Sequence, residues 1–449
     1  MISTSTLCKS ILNVKDIVVE NTELFVDAQG VKHLRIYARP KKSQQFRCPF
    51  CGRRCAGYDH MNTHREWRSL DFAGIIVTIC AYSPRICCPE HGIVTADVPW
   101  AFHHSCFTKS FEYTAAWMTE QTSKSAVSQY MRITWNTVGR IISRVRNKIE
   151  PDPHRRLDHL EQIGIDETSY RKGHRYITVV VNHANNNVVW VHKGFGKTVL
   201  TEFMKSLTQE QRESIKVVTG DGARWITECV HQYLPNCTRC IDSFHVVSWA
   251  MEALDTVRRQ SWRTALKEVF NEYGTHKRHH GRPRKAEQQT AEAKARENAK
   301  VIKGAAYVLG KSPEHLTETQ TEKLEIIQLS NNKLYRAYRL KEKLRLLLKM
   351  TDVGKAEIEL HDWVMWARRC RIPEFVELQR KIMRHKDHIL NTIRMRISNA
   401  RVESINNKIK LIIRRSFGFR NIENMMDLIL LICSDLKIQL PNRPQEQYA

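Results

Sequence analysis

The chain has 449 residues, too many for one small domain, and its 27% charged and 42% hydrophobic residues are those of a folded protein in water. Its 72 Lys and Arg against 47 Asp and Glu leave a net charge of +25, which suits a polyphosphate partner better than a small substrate or a neutral protein. No apolar run approaches the roughly 20 residues that span a bilayer, residues 428–433 coming nearest, and no signal peptide opens the chain, so a cytoplasmic protein with no membrane partner is expected.

The 13 cysteines are odd in number and unevenly placed, a pattern of metal binding in a reducing compartment and not of disulfides. Cys48-Pro49-Phe50-Cys51-Gly52 is a knuckle in which two thiolates reach one ion across a turn that the glycine permits. Cys88-Pro89-Glu90-His91-Gly92 repeats it with histidine last. Together Cys48, Cys51, Cys88 and His91 predict a closed tetrahedral site for structural Zn²⁺, with Cys55 and Cys87 as possible substitutes for Cys51 and Cys88. Trp67, Leu70, Phe72 and the alternating Ile75, Val77 and Ile79 read as strands of a small β-rich zinc module spanning residues 1–100.

Residues 101–150 turn helical. A short helix over 123–131, a turn at Arg132-Ile133-Thr134 and a second helix over 135–148, capped by Thr134, make a helix-turn-helix pattern. Val138, Ile141, Ile142 and Val145 form its buried stripe, and Trp135, Asn136, Arg140 and Arg144 are the expected DNA contacts of a helix entering a major groove. An ordinary helical hairpin with a solvated basic face is the alternative. Pro151-Asp152-Pro153 marks a boundary.

The next segment, 151–244, alternates strand and helix. Ile163-Gly164-Ile165-Asp166, Tyr176 to Val181 and Val188 to Val191 are short apolar runs broken by Arg171-Lys172-Gly173 and Asn185-Asn186-Asn187, hence two hairpins. A helix over 198–207, a strand reaching Gly220-Asp221-Gly222, a helix over 223–233 and a strand ending at Ile241-Asp242 follow. Three antiparallel strands and then alternating helices and strands is the order of a ribonuclease-H-like α/β sheet, in which the first and fourth strands are neighbours. That order predicts Asp166 beside Asp221, two carboxylates that end buried runs and call for a cation or solvent. Acids after strands are also ordinary turn formers.

Residues 245–395 read as a large all-helical insertion, with Val257, Trp262, Leu266 and Phe270 on one predicted face. Inside it, the run from His276 to Lys285 contains Gly281-Arg282-Pro283 flanked by basic residues including Arg284, a shape that can lie along an A·T minor groove, with a solvated, mobile loop as the alternative. Residues 396–449 return to the catalytic fold. Ser398 or Asn399 can cap a helix whose stripe is Val402, Ile405, Ile409 and Ile412, with Glu403 beside it in line with Asn407 and Lys410. On periodicity alone Glu403 is a solvated surface glutamate.

The motifs Gly164-Ile165-Asp166-Glu167, Gly220-Asp221-Gly222-Ala223-Arg224-Trp225, Asp242-Ser243-Phe244-His245-Val246-Val247 and Asn399-Ala400-Arg401-Val402-Glu403-Ser404-Ile405-Asn406-Asn407 resemble those of bacterial insertion-sequence transposases of the ISL-three type. The paired knuckles, the helix-turn-helix and the stretch from Lys303 to Leu324 share the likeness, and the order of motifs along the chain makes it specific. The resemblance implies that Asp166, Asp221 and Glu403 form the acidic triad of a DDE transposase, with Asp242 and His245 in an accessory motif. Glu167 follows Asp166 on a strand and points the other way, outside the triad. Three carboxylates suit two Mg²⁺ (or Mn²⁺) ions, with Asp166 as the bridge, that activate water or a 3′-hydroxyl and stabilise the leaving oxygen. The partners implied are double-stranded DNA, as terminal inverted repeats and target, and a second copy of the chain in a homodimer or larger assembly. A DNA-binding regulator without chemistry and a host nuclease of the same fold are the competing readings.

Overall fold

Ahead of the first knuckle, helix α1 (Thr4–Leu12) and strands β1 (Ile17–Val26) and β2 (Lys32–Pro40) form a hairpin and its cover that the sequence reading does not anticipate. In β2 the buried Ile36 and Ala38 alternate with half-buried Arg35, Tyr37 and Arg39, the period of a sheet with one face inward. This computed structural model describes residues 4–59, 63–273, 286–397 and 400–443, in two compact units: 1–153 with 409–449, and 154–408.

In the first unit come β3 (Ala56–Asp59), β4 (Arg65–Arg68), β5 (Ile76–Ala81), β6 (Arg85–Cys88) and β7 (Gly92–Thr95). They make a four-stranded sheet in the order β1-β2-β5-β4 and a three-stranded sheet β3-β6-β7. Trp67, Val77 and Ile79 are buried in the first sheet as their alternation predicts, whereas Phe72 lies outside the strands and is 48% exposed. Helices α2 (Lys109–Gln121), α3 (Lys124–Tyr130) and α4 (Trp135–Ile149) follow. Ser123 caps α3 through Ala126 N and Thr134 caps α4 through Thr137 N, so the turn falls where the sequence places it. Val138, Ile141, Ile142 and Val145 are the buried stripe of α4.

The second unit opens with the meander β8 (Gln162–Arg171), β9 (Arg175–Asn182) and β10 (Asn187–Lys193). Helices α5 (Lys197–Ser206) and α6 (Gln209–Ser214) lead to β11 (Val217–Gly220), then α7 (Arg224–Tyr233) and β12 (Thr238–Ile241). The strand order is β10-β9-β8-β11-β12, antiparallel through β8 and parallel from β8 to β12. Ile163, Ile165, Val180, Val218, Leu200, Phe203 and Ile226 pack between this sheet and its helices.

From α8 (Ser243–Tyr273) the unit is helical: α9 (Ala286–Gly304), α10 (Ala306–Gly310), α11 (Glu318–Ser330), α12 (Asn332–Leu347), α13 (Val353–Arg369), α14 (Pro373–Arg384) and α15 (Lys386–Met395). Their shared core includes Leu254, Leu334, Leu344, Trp363 and Phe375. The predicted face of α8 needs correction. Its buried line runs Val246, Ala250, Leu254, Val257, Ser261, Val269, so Leu266 and Phe270 fall one position off it and are 43% and 60% exposed. A serine in the buried line hides the true period from a count of large apolar residues. Arg282, Arg284, Ser398 and Asn399 lie outside the described residues.

Helix α16 (Ala400–Arg415) begins in the second unit and α17 (Ile422–Cys433) belongs to the first. The segment 396–449 is therefore divided, and not wholly part of the unit that holds the five-stranded sheet. Asn424 Nδ2 donates to Gly139 O at 3.2 Å and Arg146 Nε to Asp427 Oδ1 at 3.0 Å, bonds that fasten α17 to α4.

Candidate functional site

Three acids lie on three adjacent parallel strands: Asp166 inside β8, and Asp221 and Asp242 immediately after the ends of β11 and β12. Thr219 is paired with Gly164 and Gly220 with Ile241, so continuing the register to Asp221, two steps along β8 and one past the end of β12, sets it between Asp166 and Asp242. Asp242 N donates to Gly220 O at 2.9 Å, which carries that register past the strand ends. Asp221 and Asp242 also turn the chain, since Asp221 Oδ1 accepts Ala223 N at 2.8 Å and Asp242 Oδ1 accepts Phe244 N at 2.9 Å, whereas Asp166 Oδ1 accepts Glu167 N at 2.7 Å within the continuing strand β8. The turn-forming and functional readings are thus compatible for Asp221 and Asp242, while Asp166, inside β8, is no turn former.

Burial pushes the Asp166 carboxyl above its ordinary range and nearby Asp242 adds to the effect, while Glu167 N–H, His245 and Asn406 oppose it. Glu167, the neighbour on the opposite face of β8, accepts Gly196 N at 3.1 Å. Its carboxyl is raised chiefly by burial, with Asp221 and Asp166 contributing. His245 Nε2 stands 3.8 Å from Asp242 Oδ2, which brings the accessory pair together.

Helix α16 docks on β8. Val402, Ile405, Ile409 and Ile412 are buried as predicted, and Glu403 is exposed. One turn beyond Glu403, Asn406 donates from Nδ2 to Asp166 Oδ2 and accepts Thr168 Oγ1 at 2.8 Å on Oδ1. Asn406 and not Asn407 faces the sheet, a residue the sequence reading passes over. A polar residue three positions after Glu403 and inside the apolar stripe is the signal that marks it. The carboxylates of Asp166, Asp221 and Glu403 do not all come within 4.8 Å of one another: among the described residues only Cys48, Cys51, Cys88 and His91 bring three or more His, Cys, Asp or Glu ligand atoms that close.

Beneath the acids lies Arg239, also unanticipated although an arginine inside a four-residue buried strand is an anomaly worth reading. Its guanidinium donates to the backbone carbonyls of Asp221, Cys240 and Val218. Burial lowers it to about 10 against the opposing pull of Asp221 and Asp242. On the flank, Lys381 Nζ lies 3.7 Å from the centroid of the Trp249 ring. Gly222 is obligatory there, since a Cβ would stand 2.5 Å from Trp249 Cη2.

The knuckle residues meet in the first unit. Cys51 Sγ and Cys88 Sγ are 3.7 Å apart, and His91 Nδ1 is 3.7 Å from Cys48 Sγ and 3.6 Å from Cys88 Sγ. A tetrahedron with Zn–S of about 2.3 Å and Zn–N of about 2.1 Å has edges of about 3.6–3.8 Å, so the donor set fits that ion. Cys55 instead turns its Sγ to Arg53 O at 3.4 Å, and Cys87 is exposed.

On α4, Asn136 and Arg140 are exposed and Trp135 is half-buried under Lys124 Nζ, 3.6 Å from the ring centroid. Arg144 departs from its expected place. It pairs with Glu112, a wholly buried carboxylate, and donates to Ser105 Oγ at 3.1 Å, so its guanidinium compensates an interior charge.

Comparison with known proteins agrees with this architecture. Residues 163–429 match a family model described as transposase, and residues 96–146 match the helix-turn-helix domain of transposase family ISL3. The transposase for insertion sequence element IS1557 of Mycobacterium tuberculosis is 40% identical over 446 residues, 97% of each chain. That for insertion sequence element IS1001 of Bordetella parapertussis is 25% identical over 394 residues, 87% of this chain and 89% of that one. A family model covering more than half of the chain, together with a near full-length relative, shows that it belongs to the ISL3 family of insertion-sequence transposases, with a helix-turn-helix DNA-binding domain and a DDE catalytic domain.

Proposed function

We propose that the chain binds the terminal inverted repeats of its insertion sequence through α3 and α4, then cleaves and joins strands at the carboxylates of a ribonuclease-H-like sheet. The observation that carries this reading is the strand order β10-β9-β8-β11-β12, whose parallel register brings Asp166 and Asp221 to one edge while Asn406 ties the Glu403 helix to Asp166. The helices α8–α15 form the insertion between the second and third acids.

Asp166, Asp221 and Glu403 would hold two Mg²⁺ (or Mn²⁺) ions, Asp166 serving both. The fit is chemical: oxygen donors suit a hard cation, and the Asp166 carboxyl, raised by burial and by Asp242, is stabilised as an anion by positive charge. Bound there, such ions activate the attacking hydroxyl and stabilise the leaving oxygen. The protein groups do the rest. Asn406 and the Glu167 N–H fix the Asp166 carboxylate, and Arg239 holds the Asp221 backbone from below. Cys48, Cys51, Cys88 and His91 would hold a structural Zn²⁺. The pairing of two element ends calls for a homodimer or larger assembly, acting on DNA in the bacterial cytoplasm.

The test is cleavage of a labelled duplex carrying the element's own end, with Mg²⁺, by the native protein and by Asp221→Asn. Nicking at the element boundary that the substitution abolishes supports the reading. End-specific binding without cleavage by either protein points to a regulator, and equal affinity for random duplex points to a general nuclease.

A further inference from the structure

The turn between α16 and α17 carries an exposed aromatic in an unfavourable conformation. Phe417 is 90% exposed with φ of 52°, in the left-handed region that a residue with a Cβ rarely adopts. Burial does not explain it. Phe417 N bonds to Arg414 O at 3.0 Å and Gly418 N to Ile413 O at 3.2 Å, so the end of α16 is a closed turn that holds the ring outward. Arg414 and Arg420 on either side are exposed. Arg415 anchors the turn from within by donating to Thr119 O at 3.3 Å and Glu120 O at 2.7 Å.

The position of this turn follows from α17. Asn424 bonds to Gly139 O and Ser143 Oγ, and Asp427 to Ser143 and Arg146, so α17 runs alongside α4 in the same direction. Its cap, Asn421, comes three residues before Asn424 and is therefore level with the first turn of α4. That turn is the end of a recognition helix that enters the major groove. On α4, one side faces the core through Val138, Ile142 and Val145, a second faces α17, and Asn136 and Arg140 remain exposed between them.

We infer that the turn from Arg414 to Arg420 is a second DNA contact of the helix-turn-helix, with Arg414 and Arg420 on phosphates bordering the major-groove site and Phe417 against the adjacent minor groove. The inference rests on the proposed binding of the terminal repeats by α3 and α4. Charge complementarity and continuity with the recognition helix select a duplex as the occupant, and an apolar ring between flanking arginines is the pattern of a minor-groove wedge.

The experiment measures affinity of the full chain for its terminal-repeat duplex across a salt series, with hydroxyl-radical footprints, for the native protein, Arg140→Ala, Phe417→Ser and Arg414→Ala/Arg420→Ala. Loss of two phosphate contacts should lower the slope of log affinity against log salt by about 2 and shorten the footprint at one edge. Phe417→Ser should weaken binding about tenfold at unchanged slope. If Arg140→Ala weakens binding while the turn variants keep native affinity, slope and footprint, the inference is overturned and the helix-turn-helix reading stands. If none of the variants changes binding, both fall. If Phe417→Ser leaves DNA affinity intact but turns an assembled protein into a monomer in sedimentation, the turn is a contact between copies and the inference is wrong.

Discussion

Asn406 holds Asp166: its amide donates to Oδ2 of the aspartate while its own oxygen accepts the Thr168 hydroxyl, so both ends of the amide are fixed. The bond ties strand β8, which carries Asp166, to helix α16, which carries Glu403. Asn406→Ala should leave terminal-repeat binding unchanged, raise the Mg²⁺ concentration for half-maximal cleavage, and reduce cleavage at low Mg²⁺ by roughly 10- to 100-fold, the range for loss of a group that orients a metal ligand. A titration of cleavage against Mg²⁺, beside a binding curve, checks it. Equal loss at every Mg²⁺ concentration would make Asn406 merely structural.

Gly164 sets how closely α16 approaches β8. A Cβ there would lie 2.6 Å from Val402 Cγ2 and 2.9 Å from His183 Nε2. Gly164→Ala should destabilise the protein by about 1–3 kcal/mol through overpacking. Val402→Ala, which removes the nearer obstacle, should make the double variant less destabilised than the sum of the two single changes. Denaturant melts of the four proteins measure the coupling, and strict additivity would show that the two residues do not meet.

Legibility in the sequence follows the kind of interaction involved. The five-stranded sheet is readable because its strands are short apolar runs separated by turn residues, and because an acid follows the apolar run of each parallel strand, even though β8 continues through Asp166 to Arg171. The cluster of Cys48, Cys51, Cys88 and His91 is readable because the spacing within each knuckle is local. What escapes depends on partners far along the chain. The apolar α17 reads as core without saying whose, and the bonds of Asn424 and Asp427 to residues more than 280 positions earlier decide it. Arg144 reads as a DNA contact on an exposed basic face until Glu112 is found buried beside it, and Glu403 has no local mark that separates it from a surface glutamate.

The cysteine cluster yields a prediction independent of catalysis. Cys48 and Cys88 are almost wholly buried at 1% exposure, where thiols each within 4 Å of His91 Nδ1 gain little from apolar contact alone. Cys48→Ser should remove one zinc per chain by elemental analysis, lower the melting temperature and abolish terminal-repeat binding. Asp221→Asn should retain the zinc. Native protein with no zinc after metal-replete expression would refute the assignment.

His183 links stability to acidity. It is buried behind Gly164, with Nε2 2.7 Å from Thr219 Oγ1, and burial lowers it to about 4, with the Arg401 charge adding to the effect. Its folded value lies below the ordinary 6.5, so between these limits the unfolded chain binds more protons. The contribution is complete above the ordinary value and is lost as pH falls from about 6.5 to about 4. The loss approaches about 3 kcal/mol, at about 1.4 kcal/mol for each pH unit of difference. His183→Gln, which keeps a hydrogen-bonding group toward Thr219 but does not titrate, should flatten this part of the profile while leaving the response outside the window unchanged. Melting curves at half-unit steps from pH 4 to 8 compare the two proteins. Parallel profiles would mean that His183 accepts its proton without unfolding cost and that other groups set the acid sensitivity.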